Sequence, residues 1–410
     1  MRLLLVLGQR PLTPYALRSL RDTCEVFALG PDSSLAPLDA NHAKAVPAFD
    51  QDTLERHALQ FGVGFDAVGT LAESRVVVTA QLAERLGRPH LPVDAARRCS
   101  VDKIAMRRRL AAAGVPGPDF YPLSHLDPDT LTAALHRLGP MVVKPCVGEF
   151  SQGVRKIDAI DAINVGQMRA DVERSRQLGY FIEGSRWLAE SYVAGAMASV
   201  EGFVVDGRIE IMGLVENEMG PEPHFVMTGN WLPPRFSPAA IGSCQDIAIA
   251  AVAALGLDNC FFHCELRLSK HGPSIIEVAA RLPGGLIPEA YERAYGFNLY
   301  ALQTRIWSGT NPTVERSTRL RILQRGRFAA PGDAIVSVSG FDRAVSMPGV
   351  WQFGGLATPG QQTSGSSQAP VPLYYYGVEG LWPEDLEALA ERIEACIHIE
   401  VRGDGFHAAC

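Results

Sequence analysis

The sequence predicts an α/β domain followed by antiparallel α+β layers, and three observations carry that expectation. Apolar strands and helices alternate along roughly the first 90 residues. An apolar strand bearing Lys144 runs into a glycine-rich turn. Residues 261–278 read as a hairpin with one polar face.

In the first domain RLLLVLG, a helix near Thr13 to Arg21, EVFALG, FDAVGT and the helix SRVVVTAQLAERLG follow one another. Such alternation predicts a parallel sheet covered by helices. The loop Gly8-Gln9-Arg10-Pro11 lacks the G-x-G-x-x-G spacing, so dinucleotide binding has little support. Ligands of open sheets sit at the carboxyl ends of strands, where Glu73 falls just past Thr70. The same residue reads equally well as an acid at a helix N-terminus.

Next, Ser100 or Asp102 caps a helix running to Ala113 and ended by Gly114, Pro116 and Pro118. Lys103 lies in its first turn, against the helix dipole, which hints at a bound anion. The run Arg107 to Arg109 in this helix reads as a solvated face.

The strand MVVKPCVG carries Lys144, and the turn with Gly148, Ser151 and Gly153 lets the backbone fold over a phosphate that Lys144 reaches from the sheet. A plain hairpin with a buried lysine stem fits the same residues. After a helical region near 160–178, two strands flank a bend at Ala194-Gly195, and a hairpin turns at Asp206-Gly207. Backbone groups of Glu190 to Val193 at this hinge are placed for a flat heterocycle, or simply cross between subdomains.

From Phe261 to Leu268, His263, Glu265 and Arg267 face one way and Phe262, Cys264, Leu266 and Leu268 the other. If Leu268 pairs with Ser274 across a five-residue turn, Glu265 falls opposite Glu277. Facing carboxylates with Cβ atoms about 4.5–5.5 Å apart repel unless a cation lies between them. Oxygen ligands suit Mg²⁺ or Mn²⁺ rather than zinc. A solvated hairpin with splayed glutamates is the plainer reading. Arg281 and Pro283-Gly284-Gly285 follow, the glycines allowing close approach of a ligand. The tail adds strands, a polar loop at 360–370 and an acidic amphipathic helix.

At 410 residues, 47% hydrophobic and 20% charged, the chain has the composition of a globular protein of two or three domains. Its net charge of −7 offers no attraction to nucleic acid, and no apolar run reaches membrane-spanning length. The 8 cysteines are scattered without zinc-type spacing, which points to the reducing cytoplasm.

Taken in order, Lys103, Lys144 with its glycine-rich loop, the Glu190 hinge and Glu265/Glu277/Arg281 closely resemble the ATP-grasp superfamily. The likeness is to the carboxylate–amine ligase branch that includes bacterial L-amino-acid ligases, and it covers nearly the whole chain. It implies an ATP-grasp fold with a Rossmann-like N-terminal domain at 1–97 and a helix plus small lid at 98–188. An antiparallel core at 189–330 and a strand-rich C-terminal subdomain at 331–410 would follow. It further implies that Lys103 and Lys144 contact ATP phosphates under the loop carrying Gly148, Ser151 and Gly153. Glu190 and Val193 would meet adenine through their backbones. Glu265 and Glu277 would hold Mg²⁺ (or Mn²⁺), two ions in all, and Arg281 would act on the acyl phosphate. Glu73, His263, Gly284 and Gly285 are the candidates for substrate contact. Met197 stands where the family often has a ribose-binding glutamate, with Glu201 as a candidate substitute, and Ala279 stands where it often has Asn. The implied partners are small carboxylates and amines, amino acids above all, with no nucleic acid or membrane; a homodimer is left open. A ligase for a non-amino-acid or side-chain carboxylate is the nearest rival reading. A nucleotide-binding module without catalysis is the more distant one.

Overall fold

The computed structural model describes residues 1–177, 181–314, 317, 319–328, 334–363, 372–381 and 385–402. Its N-terminal sheet is parallel throughout, with strands in the order Ala43–Ala45, Glu25–Gly30, Arg2–Val6, Ala67–Gly69. The helix Pro14–Arg21 begins where expected because the Thr13 hydroxyl accepts the Ala16 amide and Pro14 supplies a preset first turn.

A second sheet forms the small lid, in the order Phe120–Leu123, Ile182–Ser191, Met141–Gly148, Arg155–Ile157. The strand Ile182–Ser191 runs through the expected boundary at 188, so the lid ends a few residues later than the sequence suggested.

The central sheet has eight antiparallel strands. Their order is Gly272–Ala279, Cys260–Ser269, Ala196–Val205, Arg208–Met219, Met227–Leu232, Arg321–Arg327, Tyr374–Gly380, Val350–Gly355. The last three were expected in part as a separate strand-rich tail. They continue the core sheet instead, because Arg321–Arg327 pairs with Met227–Leu232 on one side and Tyr374–Gly380 on the other. Only the ribbon Ala334–Ser339 with His398–Arg402 stands apart among the described strands of the tail. The expected polar loop falls largely on 364–370, outside the described residues.

Alternation gives the central sheet two different faces. Val200, Phe262, Cys264, Leu266 and Val278 pack under the helix Pro238–Leu255. Phe203, Val205 and Phe261 face the other way and are buried with Leu3, Leu5, Leu20, Tyr291 and Trp307. Further along that second face stand Glu201, His263 and Glu265. Gly69 seals the junction between the domains: a Cβ there would lie 2.3 Å from the Trp307 indole, so only glycine lets the first sheet approach. Four residues on, that approach delivers Glu73 to the central sheet.

Candidate active site

Glu265 and Glu277 are direct cross-strand partners. The route to that pairing differs from the one expected. Leu268 pairs with Pro273 and Ser269 with Gly272, so the turn is tighter than five residues and the ladder starts one residue out of step. A bulge between Leu266↔Ile275 and Glu265↔Glu277 takes up the difference and leaves Ile276 unpaired.

Arg107 holds that bulge. Its Nη1 donates to the Ile275 carbonyl at 2.6 Å and its Nη2 to the Ile276 carbonyl, while its Nε pairs with Glu190. The solvated-face reading is therefore corrected for Arg107, which is 3% exposed; Arg108 and Arg109 are exposed. The sequence did hold a signal: Lys103, Arg107 and Leu110 share one helical face, and all three are buried.

Glu190 also departs from expectation. Its backbone lies inside the lid sheet, in register with Phe120 on one side and Val142 on the other, so it has no free edge for adenine. Its side chain acts instead as a buried counter-ion, Oε2 lying 2.8 Å from Lys144 Nζ and Oε1 against Arg107. Burial pushes this carboxyl up, but the two cations outweigh it and hold it below the usual carboxylate range. Val193 lies just past the strand, and its amide has no hydrogen-bond partner among the described residues.

Lys103 stands at the first position of the helix Lys103–Ala112, capped by Asp102, whose side chain accepts from the Ala105 amide. Ser100 belongs to the preceding helix Val93–Ser100. The Lys103 ammonium reaches Glu277 Oε1 at 2.7 Å and the Gly148 carbonyl at 3.5 Å. Burial favours its neutral form, yet Glu277 outweighs burial and raises its pKa.

His263 neutralises the second carboxylate. Its Nδ1 lies 2.8 Å from Glu201 Oε1 and its Nε2 3.3 Å from Glu265 Oε1. Burial opposes the charge, but Glu201 and Glu265 raise the imidazole to about 10, so it is a cation at neutral pH. Glu201 is 0% exposed and committed to this imidazole, which removes it as a substitute ribose contact.

Arg281 donates through Nε to Glu73 and through Nη1 to the Leu282 carbonyl at 2.8 Å. Glu73 sits in a single 3₁₀ turn, Glu73–Arg75, and its Oε1 is buried without a partner among the described residues. It is thus an acid at the start of a helical segment, as one reading had it, and also a cross-domain partner of Arg281.

The loop from Gly148 to Gly153 closes this space from the lid side. Phe150 and Ser151 have φ of 55° and 54°, left-handed values that cost non-glycine residues about 1–2 kcal/mol each. Gln152 anchors the loop from inside: its Nε2 donates to the Phe150 carbonyl at 3.3 Å, and its Oε1 accepts from Ser175 at 2.6 Å. Gly153 has φ 71°, and a Cβ there would lie 3.3 Å from Pro145 and Ile182. Glu149 accepts the Phe181 amide and is raised by burial despite Arg281 and Arg10 nearby. Gly284 lies beneath Phe150, and at Gly285, φ 64°, a Cβ would meet nothing within 4 Å.

Among the described residues, no group of three or more His, Cys, Asp and Glu converges as a self-sufficient metal site. Two facing carboxylates suit a cation that arrives with phosphate oxygens, as Mg²⁺ does, better than a resident metal.

Comparison with known proteins bears on the fold that carries this site. Residues 138–289 match the ATP-grasp domain model. The chain is 27% identical to the uncharacterized protein y4rH of Sinorhizobium fredii, over 82% of this chain and 69% of y4rH. It is 28% identical to alanine–anticapsin ligase of Bacillus subtilis, over 58% of this chain and 53% of that ligase, so it spans about half of that relative. The crystal structure of an L-amino acid ligase from Bacillus licheniformis superposes with a TM-score of 0.80 at 19% identity, covering 98% of this chain and 99% of that one. The chain has the ATP-grasp fold, and its residues 138–289 are an ATP-grasp domain.

Proposed function

We propose that this protein is an ATP-dependent carboxylate–amine ligase that joins amino acids through an acyl phosphate, in the biosynthesis of a dipeptide or small natural product. The observation that carries the reading is the convergence of Glu265 and Glu277, from one hairpin, with Lys103 and with the Arg281–Glu73 pair. A protein that merely bound nucleotide would have no use for a cross-domain arginine beside the carboxylates.

In the first step a carboxylate oxygen of one substrate bonds to the γ-phosphorus of ATP and the bond to ADP breaks. In the second an amine bonds to the acyl carbon, phosphate leaves, and the amine loses a proton. Glu265 and Glu277 would hold Mg²⁺, two ions with the nucleotide's phosphates, which neutralises charge on the phosphoryl group. Lys103 and Lys144, held by Glu277 and Glu190 without nucleotide, would exchange those carboxylates for phosphate oxygens. Arg281, kept charged by Glu73 against the cost of burial, stabilises the anionic acyl phosphate and the tetrahedral species that follows. The lid loop excludes water from the acyl phosphate. The described cysteines are all free, which supports a reducing cytoplasm as the setting.

The test is ADP release from Mg²⁺-ATP across a panel of amino acids, with products read by mass spectrometry. Amino-acid-dependent ADP release with an amide product is expected; release that no carboxylate–amine pair stimulates would discard the ligase reading.

A further inference from the structure

The lid loop carries a residue that ATP handling does not account for. Phe150 is 50% exposed, and it is the one aromatic among the large apolar side chains left exposed in the described residues. Its backbone is left-handed, a conformation for which Phe is a poor choice and Gly or Asn a good one. The loop backbone is nonetheless anchored at the Phe150 carbonyl through Gln152 and Ser175.

The ring projects toward the site and not away from it. Its Cε1 and Cζ lie 3.8 Å from where a Cβ of Gly284 would stand. On the N-terminal domain side, the Arg10 guanidinium lies 5.6 Å from the ring centroid. The ring therefore packs against Gly284 with the Arg10 guanidinium nearby, and the surface beyond it is open at Gly285. Gly284 follows Arg281 by three residues in the chain.

We propose that Phe150 is a specificity-determining residue that packs on the side chain of a substrate activated beside Arg281, and that the preferred substrate class is amino acids with a large apolar or aromatic side chain. This rests on the ligase reading above. The charged groups at the site, Arg281 with Glu73 and Glu149, serve the charged end of such a substrate. Beside the exposed glycines the Phe150 ring supplies the apolar surface, with the Arg10 guanidinium as the cation near it, and a half-exposed ring gains most by covering an apolar partner. A glycine or alanine substrate would leave the ring as exposed as it is now.

The test is competition between leucine and alanine in one reaction, with the ratio of products read by mass spectrometry. A ratio from one vessel cancels any general loss of ATP turnover. Wild-type protein is expected to favour the larger side chain at least tenfold. Phe150→Ala should reduce that preference by at least tenfold, and Phe150→Tyr should retain it within twofold. Phe150→Gly suits the left-handed backbone, and keeps the test alive if the alanine variant fails to fold. An active wild type that prefers alanine, or a preference unchanged in Phe150→Ala and Phe150→Gly, overturns this inference alone. A wild type that joins no carboxylate to any amine overturns it together with the ligase reading.

Discussion

Lys103 lies 2.7 Å from Glu277, with the ammonium buried and the carboxylate partly exposed. Facing carboxylates alone would suggest that Glu277→Gln relieves repulsion and stabilises the metal-free fold. The ion pair reverses that sign, because the variant leaves a buried ammonium without its counter-charge. Glu277→Gln is expected to fold, to lose about 1–3 kcal/mol of stability without nucleotide, and to lose magnesium-dependent turnover. Calorimetric melting without Mg²⁺-ATP checks the first part: a melting temperature at or above wild type would remove the ion pair from the account.

Arg107 ties the lid's Glu190 to the bulge that aligns Glu277. Removing it leaves a buried carboxylate with half its compensation and two carbonyls without donors. Arg107→Met should lower the unfolding free energy by about 3–5 kcal/mol, and Arg107→Lys should recover only part, since an ammonium cannot reproduce the planar fork. Urea unfolding decides it: a methionine variant within about 1 kcal/mol of wild type would make the contact ornamental.

The acid limb of stability should carry the signature of Glu218. Burial pushes its carboxyl up, but hydrogen bonds from Arg325 and Trp231, with the charge of Arg235, hold it below its ordinary value. A depressed carboxylate contributes stability in full above its unfolded value, near 4.5, and loses it as pH falls through the lower folded value. Glu218→Gln should therefore melt lower than wild type at pH 6 and converge with it as the pH drops below 4.5 toward the folded value. Melting curves that stay parallel from pH 6 downward would contradict the assignment.

Chymotrypsin offers a direct view of the lid, because it cleaves after aromatic residues and Phe150 is half exposed. Cutting at Phe150 should slow several-fold in the presence of Mg²⁺-ATP if the loop closes over the nucleotide. Equal rates with and without nucleotide would count against closure.

Gly285 has room for a side chain but a backbone unsuited to one. Gly285→Trp should cost about 1–2 kcal/mol in stability from the left-handed φ and shift product ratios toward small amino acids by occupying the open space beside Gly285. An unchanged ratio in a folded, active variant would place the indole elsewhere.

The pairing of Glu265 with Glu277 was legible from strand alternation, although the turn assumed for it was wrong. Two errors cancelled: a tighter turn shifted the ladder by one and a bulge shifted it back. Lys103 and Lys144 were legible because a cation in a first helical turn or on an apolar strand is locally costly. Arg107 was missed because a run of three arginines looks solvated unless each is placed on the helical wheel. The counter-ion role of Glu190 was missed for another reason, since it depends on a diagonal contact with Lys144 across the lid sheet. The tail was misassigned because strand order is a long-range property: Arg321–Arg327 and Tyr374–Gly380 are adjacent in space and far apart in sequence.

That adjacency bears on how the protein can be cut. A truncation near residue 330, made to discard the strand-rich tail, would strip Arg321–Arg327 of its neighbour and leave a row of unpaired amides and carbonyls at a new sheet margin. Trp231 and Leu323 would open to water once Tyr374 and Tyr376, which cover them, are gone. The shortened chain should self-associate rather than stay a well-behaved monomer, so the strands after residue 330 act as a selvage that keeps the central sheet from fraying.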